Sequence, residues 1–448
     1  MVKTFKIGGI HPDDNKLTGG SPIDTLGPPK QAIFPLSQHI GAPAIPCVER
    51  GDRVYVGTKI AEANGFVSAN IYSSVSGKVA KIDNMIDATG YSNPAIVINV
   101  ENDIWEPGID TSSRLVLQCL LDSDEILEKI REAGIVGLGG ACFPTHVKLS
   151  PPSGCKIESL IINGVECEPY LTSDHRLMLE HVDKILVGIS ILMKALKIDK
   201  AYIGIEENKQ DAIDLLQSKS IYHEGIEIVP LRKKYPQGGE KQLISAILNR
   251  CVPAPPCIPA NVGTVVLNVA TVYAVYEAVQ KNKPLIERIV TVTGKSVKNP
   301  CNLRVRLGTP VEHLIDYAGG MPENTGKLIC GGPMMGKTLL NTNVPVVKGT
   351  SGILLLDIEE SVRIEEEPCI RCAKCVQACP MGLEPYLLRI ASERSDWETA
   401  EREDIMTCIE CGCCQSTCPS HRPLLDWVRL AKNRVGCIIR TRNSNNNN

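Results

Sequence analysis

With 448 residues and a net charge of -3, the chain has material for about three domains of the usual size and no basic excess that would argue for nucleic acid. Its nineteen cysteines would suggest disulfides in a small secreted protein, but nearly half lie between residues 369 and 418, and Met1 to Asp14 has no signal-peptide apolar core; a reducing compartment is expected. The nearly uncharged stretch 262–276, which contains Asn268 and Thr271, falls short of the roughly 18 apolar residues of a membrane span, which points to a soluble or peripheral protein.

From Pro43 to Asp83 short β-rich runs alternate with Gly and Asp turns, predicting a small barrel-sandwich. It looks like a lipoyl or biotinyl carrier domain, yet no lysine stands between Ala61 and Tyr72, where that family's modified hairpin would fall. A structural or docking role is expected in place of lipoylation. Asp122-x-x-Glu125 offers a capping box for a helix ending at Ala133. Next comes the glycine loop Gly137-Leu138-Gly139-Gly140-Ala141-Cys142-Phe143-Pro144-Thr145, which lets backbone N–H groups approach a phosphate or a flavin edge. It is not a Rossmann fingerprint, because Cys142 replaces the third glycine and a helix precedes it. Taken alone, it could equally be a tight structural turn.

Strands are predicted over 160–162, 201–205 and 226–231, and helices over 174–196, 210–217 and 240–248, an α/β alternation. Residues 285–345 return to short strands between Gly and Pro turns. Two copies of one pattern follow: Cys369-x2-Cys372-x2-Cys375-x3-Cys379-Pro380 and Cys408-x2-Cys411-x2-Cys414-x3-Cys418-Pro419. This is the ferredoxin-type signature for two [4Fe-4S] clusters. The cysteine before proline crosses to the other cluster, which assigns Cys369, Cys372, Cys375 and Cys418 to one and Cys408, Cys411, Cys414 and Cys379 to the other. Zinc ribbons also use C-x2-C pairs, but not a third and fourth cysteine at this spacing, twice over. Cys413 falls off the pattern and is expected to be no ligand. Helices are predicted over 384–393 and 423–432, and 443–448 reads as a disordered polar end.

The blocks Gly137 to Leu149, Asn163-Gly-Val-Glu166-Cys-Glu168-Pro169, Tyr235-Pro-Gln-Gly238-Gly239-Glu240 and Asn268-Val-Ala-Thr271 stand in the order found in the flavin-bearing, NADH-oxidising subunit of respiratory complex I. The resemblance extends almost from end to end to RnfC, a subunit of the Rnf ferredoxin:NAD oxidoreductases. The blocks shared with that family include Gly8-Gly9-Ile10-His11-Pro12, Gln38-His39-Ile40-Gly41-Ala42-Pro43, Ser76-Gly77-Lys78-Val79 and Gly331-Gly332-Pro333-Met334-Met335-Gly336.

The resemblance implies a non-covalent FMN lined by Gly137, Gly139, Gly140, Lys148, Asn163, Glu166, Gly238 and Asn268, with Phe143, Glu168 and Glu240 facing NAD(H). Its flavin would exchange hydride with the nicotinamide while the clusters carry single electrons. It implies a multidomain α/β and β fold: a barrel-sandwich hybrid (1–115), a Rossmann-like α/β flavin domain (116–283), a β-grasp, SLBB-like domain (284–350), a ferredoxin-like two-cluster helical domain (351–436) and a polar tail (437–448). It also implies a peripheral place on the cytoplasmic face of the membrane, with the membrane subunits of an Rnf-type complex as partners and ferredoxin as an indirect one. Val165, Gly239, Leu267 and Ala270 depart from the aspartate, glutamate, asparagine and glutamate usual in the complex I subunit. Two rivals stay open: a cobalamin reductase of the bacterial-microcompartment type, whose relatives lack the N-terminal region, and a non-enzymatic electron relay.

Overall fold

The computed structural model describes residues 2–88 and 90–446. The N-terminal barrel-sandwich is built from two small sheets. Strands Gln31–Pro35, Ser92–Val100, Gly77–Ile86 and Arg53–Val54 pair in that order, and Ile45–Pro46, Lys59–Glu62 and Ile71–Tyr72 form the second sheet. Phe34, Ile60, Ile71, Ile96 and Ile98 fill the space between. The hairpin that would bear a carrier's lysine packs on the flavin domain instead: His146 lies edge-on to Phe66, and its Nε2 is 3.1 Å from the Phe66 carbonyl.

The central α/β domain holds a four-stranded parallel sheet in the order Ile226–Leu231, Ala201–Glu206, Ser159–Asn163, Thr264–Asn268. Ser159–Asn163 is covered on both faces, as its apolar run Leu160-Ile161-Ile162 demands. Asp122 accepts from the Asp124 and Glu125 N–H groups, and Glu125 returns the bond to Asp122, so the capping box forms and starts helix Ser123–Glu132. The single helix expected over 174–196 is two, Ser173–Glu180 and Val182–Leu196. The break is at His181, whose ring packs on Tyr273 and whose Nε2 lies 2.8 Å from the Arg304 guanidinium. Burial lowers His181 to about 4, so the ring is a neutral acceptor for that arginine.

The β-grasp sheet has six strands, ordered Ile23–Thr25, Cys301–Arg306, Glu287–Thr293, Gly352–Asp357, Thr325–Cys330, Lys337–Thr338. Two of them lie outside the expected 284–350: Gly352–Asp357 follows that boundary, and Ile23–Thr25 comes from the N-terminal region to pair parallel with Cys301–Arg306. In the cysteine domain, helices Pro385–Glu393, Trp397–Arg402 and Leu424–Asn446 enclose Leu388, Ala400, Val428, Ala431 and Val435. The last helix overturns the expected disordered end as far as Asn446. Arg442 makes two bonds to Glu401 at 2.9 and 2.8 Å, and the Thr441 and Ser444 hydroxyls donate to carbonyls four residues back. Residues 447–448 lie outside the described residues. Among the described residues no helix is long and apolar enough to cross a membrane.

Candidate functional site

Asn163 and Asn268 are register partners at the carboxyl ends of two neighbouring parallel strands. The strand order reverses between those strands, and open α/β sheets take their ligands in such a crevice because the loops there part toward opposite faces. The glycine loop lies over it. A Cβ on Gly139 would stand 3.2 Å from the Asn268 Cβ, and Gly140 adopts φ +124° with open space beside it. Leu138 N–H donates to Thr271 Oγ1 at 2.9 Å, and Arg288 donates to the Leu138 carbonyl at 3.1 Å, which fixes the start of the loop. Among the described residues the N–H groups of Gly139, Gly140 and Ala141 have no acceptor.

Lys148 closes one side, its ammonium donating to Glu240 Oε1 at 2.5 Å and to the Val266 carbonyl at 2.8 Å. Glu240 opens helix Glu240–Leu248, whose start has no side-chain cap, so its first turn presents N–H groups and a positive dipole end. Asn163 Nδ2 donates to the Gly238 carbonyl at 2.8 Å and ties that turn to the sheet. Gly137, Gly139, Gly140, Lys148, Asn163, Gly238, Glu240 and Asn268 thus meet in one constellation. Free backbone donors, an ammonium, an uncapped helix and two amides around a side-chain-free gap suit a phosphate-bearing, planar cofactor such as FMN. Phe143 ends the loop half-buried, its carbonyl accepting from Gly137 N–H at 2.8 Å.

Two further expected residues, Glu166 and Glu168, accept from backbone N–H groups. Glu166, at φ +46°, accepts from the Asp174 and His175 N–H groups at 2.8 and 3.1 Å and so caps helix Ser173–Glu180. Glu168 accepts from Met334 and Met335 N–H at 3.2 and 2.8 Å, bridging to the β-grasp domain. Both carboxylates thus accept from backbone N–H groups, and through Asp174 the first of them adjoins Asn268. Burial raises Glu168 to about 7.

Sequence reasoning missed Asp174, whose Oδ2 accepts from Asn268 Nδ2 at 2.6 Å, and Arg288 beneath the loop. Neither belongs to a glycine-rich block; an acid at a helix start and a base inside a strand were the only signals. Burial, with Glu166 adding to it, raises Asp174 to about 7. A carboxyl whose folded pKa is raised stabilises the fold fully below its unfolded pKa of about 4, and the contribution is lost as pH rises through about 7. Asp174→Asn is therefore expected to gain urea midpoint relative to the parent between about pH 5 and about pH 8, and a constant offset would contradict this.

In the cysteine domain the Cys379 thiol lies among those of the second repeat. Burial raises Cys408 to about 11 and pushes Cys414 up further, and Cys411 and Cys379 add to both shifts. Cys375, in turn, feels Cys418. The crossed assignment would draw on these same neighbours, beside which Cys413 also lies. Cluster ligands must be thiolates, and the thiols of Cys379, Cys408 and Cys414, which burial raises, suit a cationic core beside them, while the bond from Cys413 lowers Cys411. Backbone N–H groups already point at the sulfurs, Leu383 to Cys379 and Glu410 to Cys408, both at 3.4 Å. Among the described residues no three Cys, His, Asp or Glu converge as one metal ion requires, whereas an iron-sulfur cube takes one thiolate per iron across a wider set. Cys413 is buried, shares a hydrogen bond with Cys411, and has its thiol 3.9 Å from the Tyr235 carbonyl.

Four family models match in chain order: the RnfC barrel sandwich hybrid domain over 3–103, the Nuo51 FMN-binding domain over 130–277, the SLBB domain over 289–338 and the 4Fe-4S dicluster domain over 361–419. One subunit of the proton-translocating ferredoxin:NAD(+) oxidoreductase complex of Clostridium ljungdahlii is 45% identical over 90% of this chain and 87% of its own. The corresponding subunit of the Na(+)-translocating complex of Acetobacterium woodii is 43% identical over 96% and 97%. The chain belongs to the RnfC family. Its counterpart in the ion-translocating oxidoreductase complex of Rhodobacter capsulatus, 42% identical over 97% of this chain and 84% of its own, extends the RnfC match. A chain of an NAD+-reducing [NiFe]-hydrogenase in the H2-reduced state shares the fold, with a TM-score of 0.50 and 20% identity over 69% of this chain and 61% of that one. The barrel-sandwich match over 3–103 favours RnfC over the cobalamin-reductase rival, whose relatives lack that region.

Proposed function

We propose that this RnfC-family chain is the peripheral subunit that exchanges hydride with NAD(H) at a non-covalent FMN and passes single electrons through two [4Fe-4S] clusters, on the cytoplasmic face of an ion-translocating membrane complex. A flavin accepts two electrons as hydride and releases them singly, which matches a nicotinamide to one-electron clusters. The chain's part is to hold and orient. The glycine-loop N–H groups and the Glu240–Leu248 helix start would receive the phosphate, Lys148 would offset negative charge, and Asn163 and Asn268 would bond the flavin's polar edge. Glu240 restrains Lys148 and would accept from ribose hydroxyls.

One observation carries the coupling of the two centres. The Tyr235 hydroxyl donates to the Cys411 carbonyl at 2.9 Å, and Tyr235 opens the turn whose Gly238 carbonyl is held by Asn163. This supports the cluster of Cys379, Cys408, Cys411 and Cys414 as the flavin-side one. Cys369 and Cys372, exposed beside Ile370, would hold the cluster facing a partner subunit, with ferredoxin served indirectly.

Anaerobic purification should yield FMN, iron and sulfide, with the flavin released by acid precipitation and bleached by NADH. Protein with iron but no flavin and no NADH-driven reduction would select the relay reading. Glu240→Ala should weaken the apparent NADH affinity by about one to two orders of magnitude, the cost of losing a hydrogen bond to a charged group, with FMN occupancy retained. Simultaneous loss of FMN would place Glu240 with the flavin through Lys148, and unchanged reduction kinetics would remove it from the nucleotide site.

A further inference from the structure

The motif Gly8-Gly9-Ile10-His11-Pro12 belongs to neither the crevice nor the cysteine loops, yet the segment that carries it touches both. At one end Gly9 N–H donates to the Ala378 carbonyl at 2.9 Å. Gly8, at φ +64°, packs so closely that any side chain would run into the Cys379 carbonyl. In the middle Ile10 and Tyr235 exchange both backbone bonds, at 2.8 and 2.9 Å. At the other end the Asp14 carbonyl accepts from Tyr170 N–H at 2.8 Å, and Lys16 donates to the carbonyls of Glu166, Glu168 and Leu171 at 2.8, 2.9 and 2.6 Å. An ammonium has three donors, and all three are taken. Lys16 is thus a clamp on the loop that leaves strand Ser159–Asn163, with no donor left for a ligand.

We propose that residues 8–16 form a strap that fixes the separation between the flavin crevice and the second-repeat cluster, with Ile10 and Lys16 as its positioning residues. The strap bonds the loop next to Cys379, the turn that touches Cys411 and the loop that follows Asn163, so the two redox centres are held through one continuous backbone. One-electron tunnelling falls exponentially with separation. Hydride transfer within the crevice does not depend on the strap; passage from flavin to cluster does. The proposal rests on the cofactor reading above.

Two variants test it. Lys16→Met removes the clamp, and Ile10→Pro removes the N–H that binds Tyr235 without touching a cofactor-binding residue. In hydrogen-deuterium exchange of the purified chain, peptides covering 164–171 in the first variant and 234–238 in the second should exchange faster than in the parent. In anaerobic stopped flow, flavin bleaching by NADH should keep the parental rate, while the following cluster reduction slows severalfold, with FMN and iron contents retained. Parental flavin-to-cluster rates in both variants would overturn the proposal. So would joint loss of FMN and iron from both, which would make the strap a folding element only. A parent that binds no flavin, or whose flavin NADH does not bleach, would refute the cofactor reading itself.

Discussion

Cys379→Ala is expected to remove the second-repeat cluster although the substituted residue lies in the first repeat. Cys379 follows helix Lys374–Ala378, its sulfur accepts from Leu383 N–H at 3.4 Å, and its charge adds to the burial that raises Cys408 and Cys414. Alanine deletes one of four thiolate ligands and leaves one iron without its protein bond. Iron and acid-labile sulfide should fall by about half, and the EPR signal of the reduced protein should simplify to that of the cluster held by Cys369, Cys372, Cys375 and Cys418. Survival of both signals would show that the repeats do not cross. Cys413→Ser is the control. That thiol is buried against Cys411 and the Tyr235 carbonyl, a hydroxyl can donate in the same direction, and both signals should persist.

Gly139→Val should produce the complementary loss: flavin absent, iron unchanged. The Cβ would already stand 3.2 Å from the Asn268 Cβ, and the two methyls of valine would extend into the gap above the strand ends. The loop cannot retreat easily, because Leu138 beside it is held by Thr271 and Arg288. FMN affinity should fall by at least about two orders of magnitude, equivalent to ~2.7 kcal/mol, measurable by flavin fluorescence after reconstitution. Stoichiometric flavin in the purified variant would move the cofactor away from this loop.

What the sequence disclosed was local. The eight cysteines, the capping box of Asp122 and Glu125 and the strand Leu160-Ile161-Ile162 each depend on neighbours a few residues away, so spacing alone reveals them. The glycine loop was visible but ambiguous until the order of the blocks, and then the strand reversal beneath it, gave it a place. Residues that work through distant backbone were hidden. Lys16 binds carbonyls about 150 residues away and Arg288 binds Leu138; neither base has a periodic or compositional mark. The backbone partners of Glu166 and Glu168 were hidden for the same reason, since they come from a later helix and a later domain. The helix break at His181 has no glycine or proline to announce it; a tertiary contact with Arg304 and Tyr273 decides it.

The pairing of Ile23–Thr25 with Cys301–Arg306 sets a timetable for biosynthesis. Ribosomes add about 5 to 20 residues per second, so the early strand waits tens of seconds for its partner to emerge. Through that interval the barrel-sandwich can close on its own, but the segment leading into it exposes an unpaired strand edge that any other chain could occupy. The β-grasp sheet cannot be completed until its last strand, Gly352–Asp357, has left the ribosome, and that strand lies only a short way before the cysteine repeats. Completion of this sheet and capture of iron therefore fall in the same late window of the chain's synthesis.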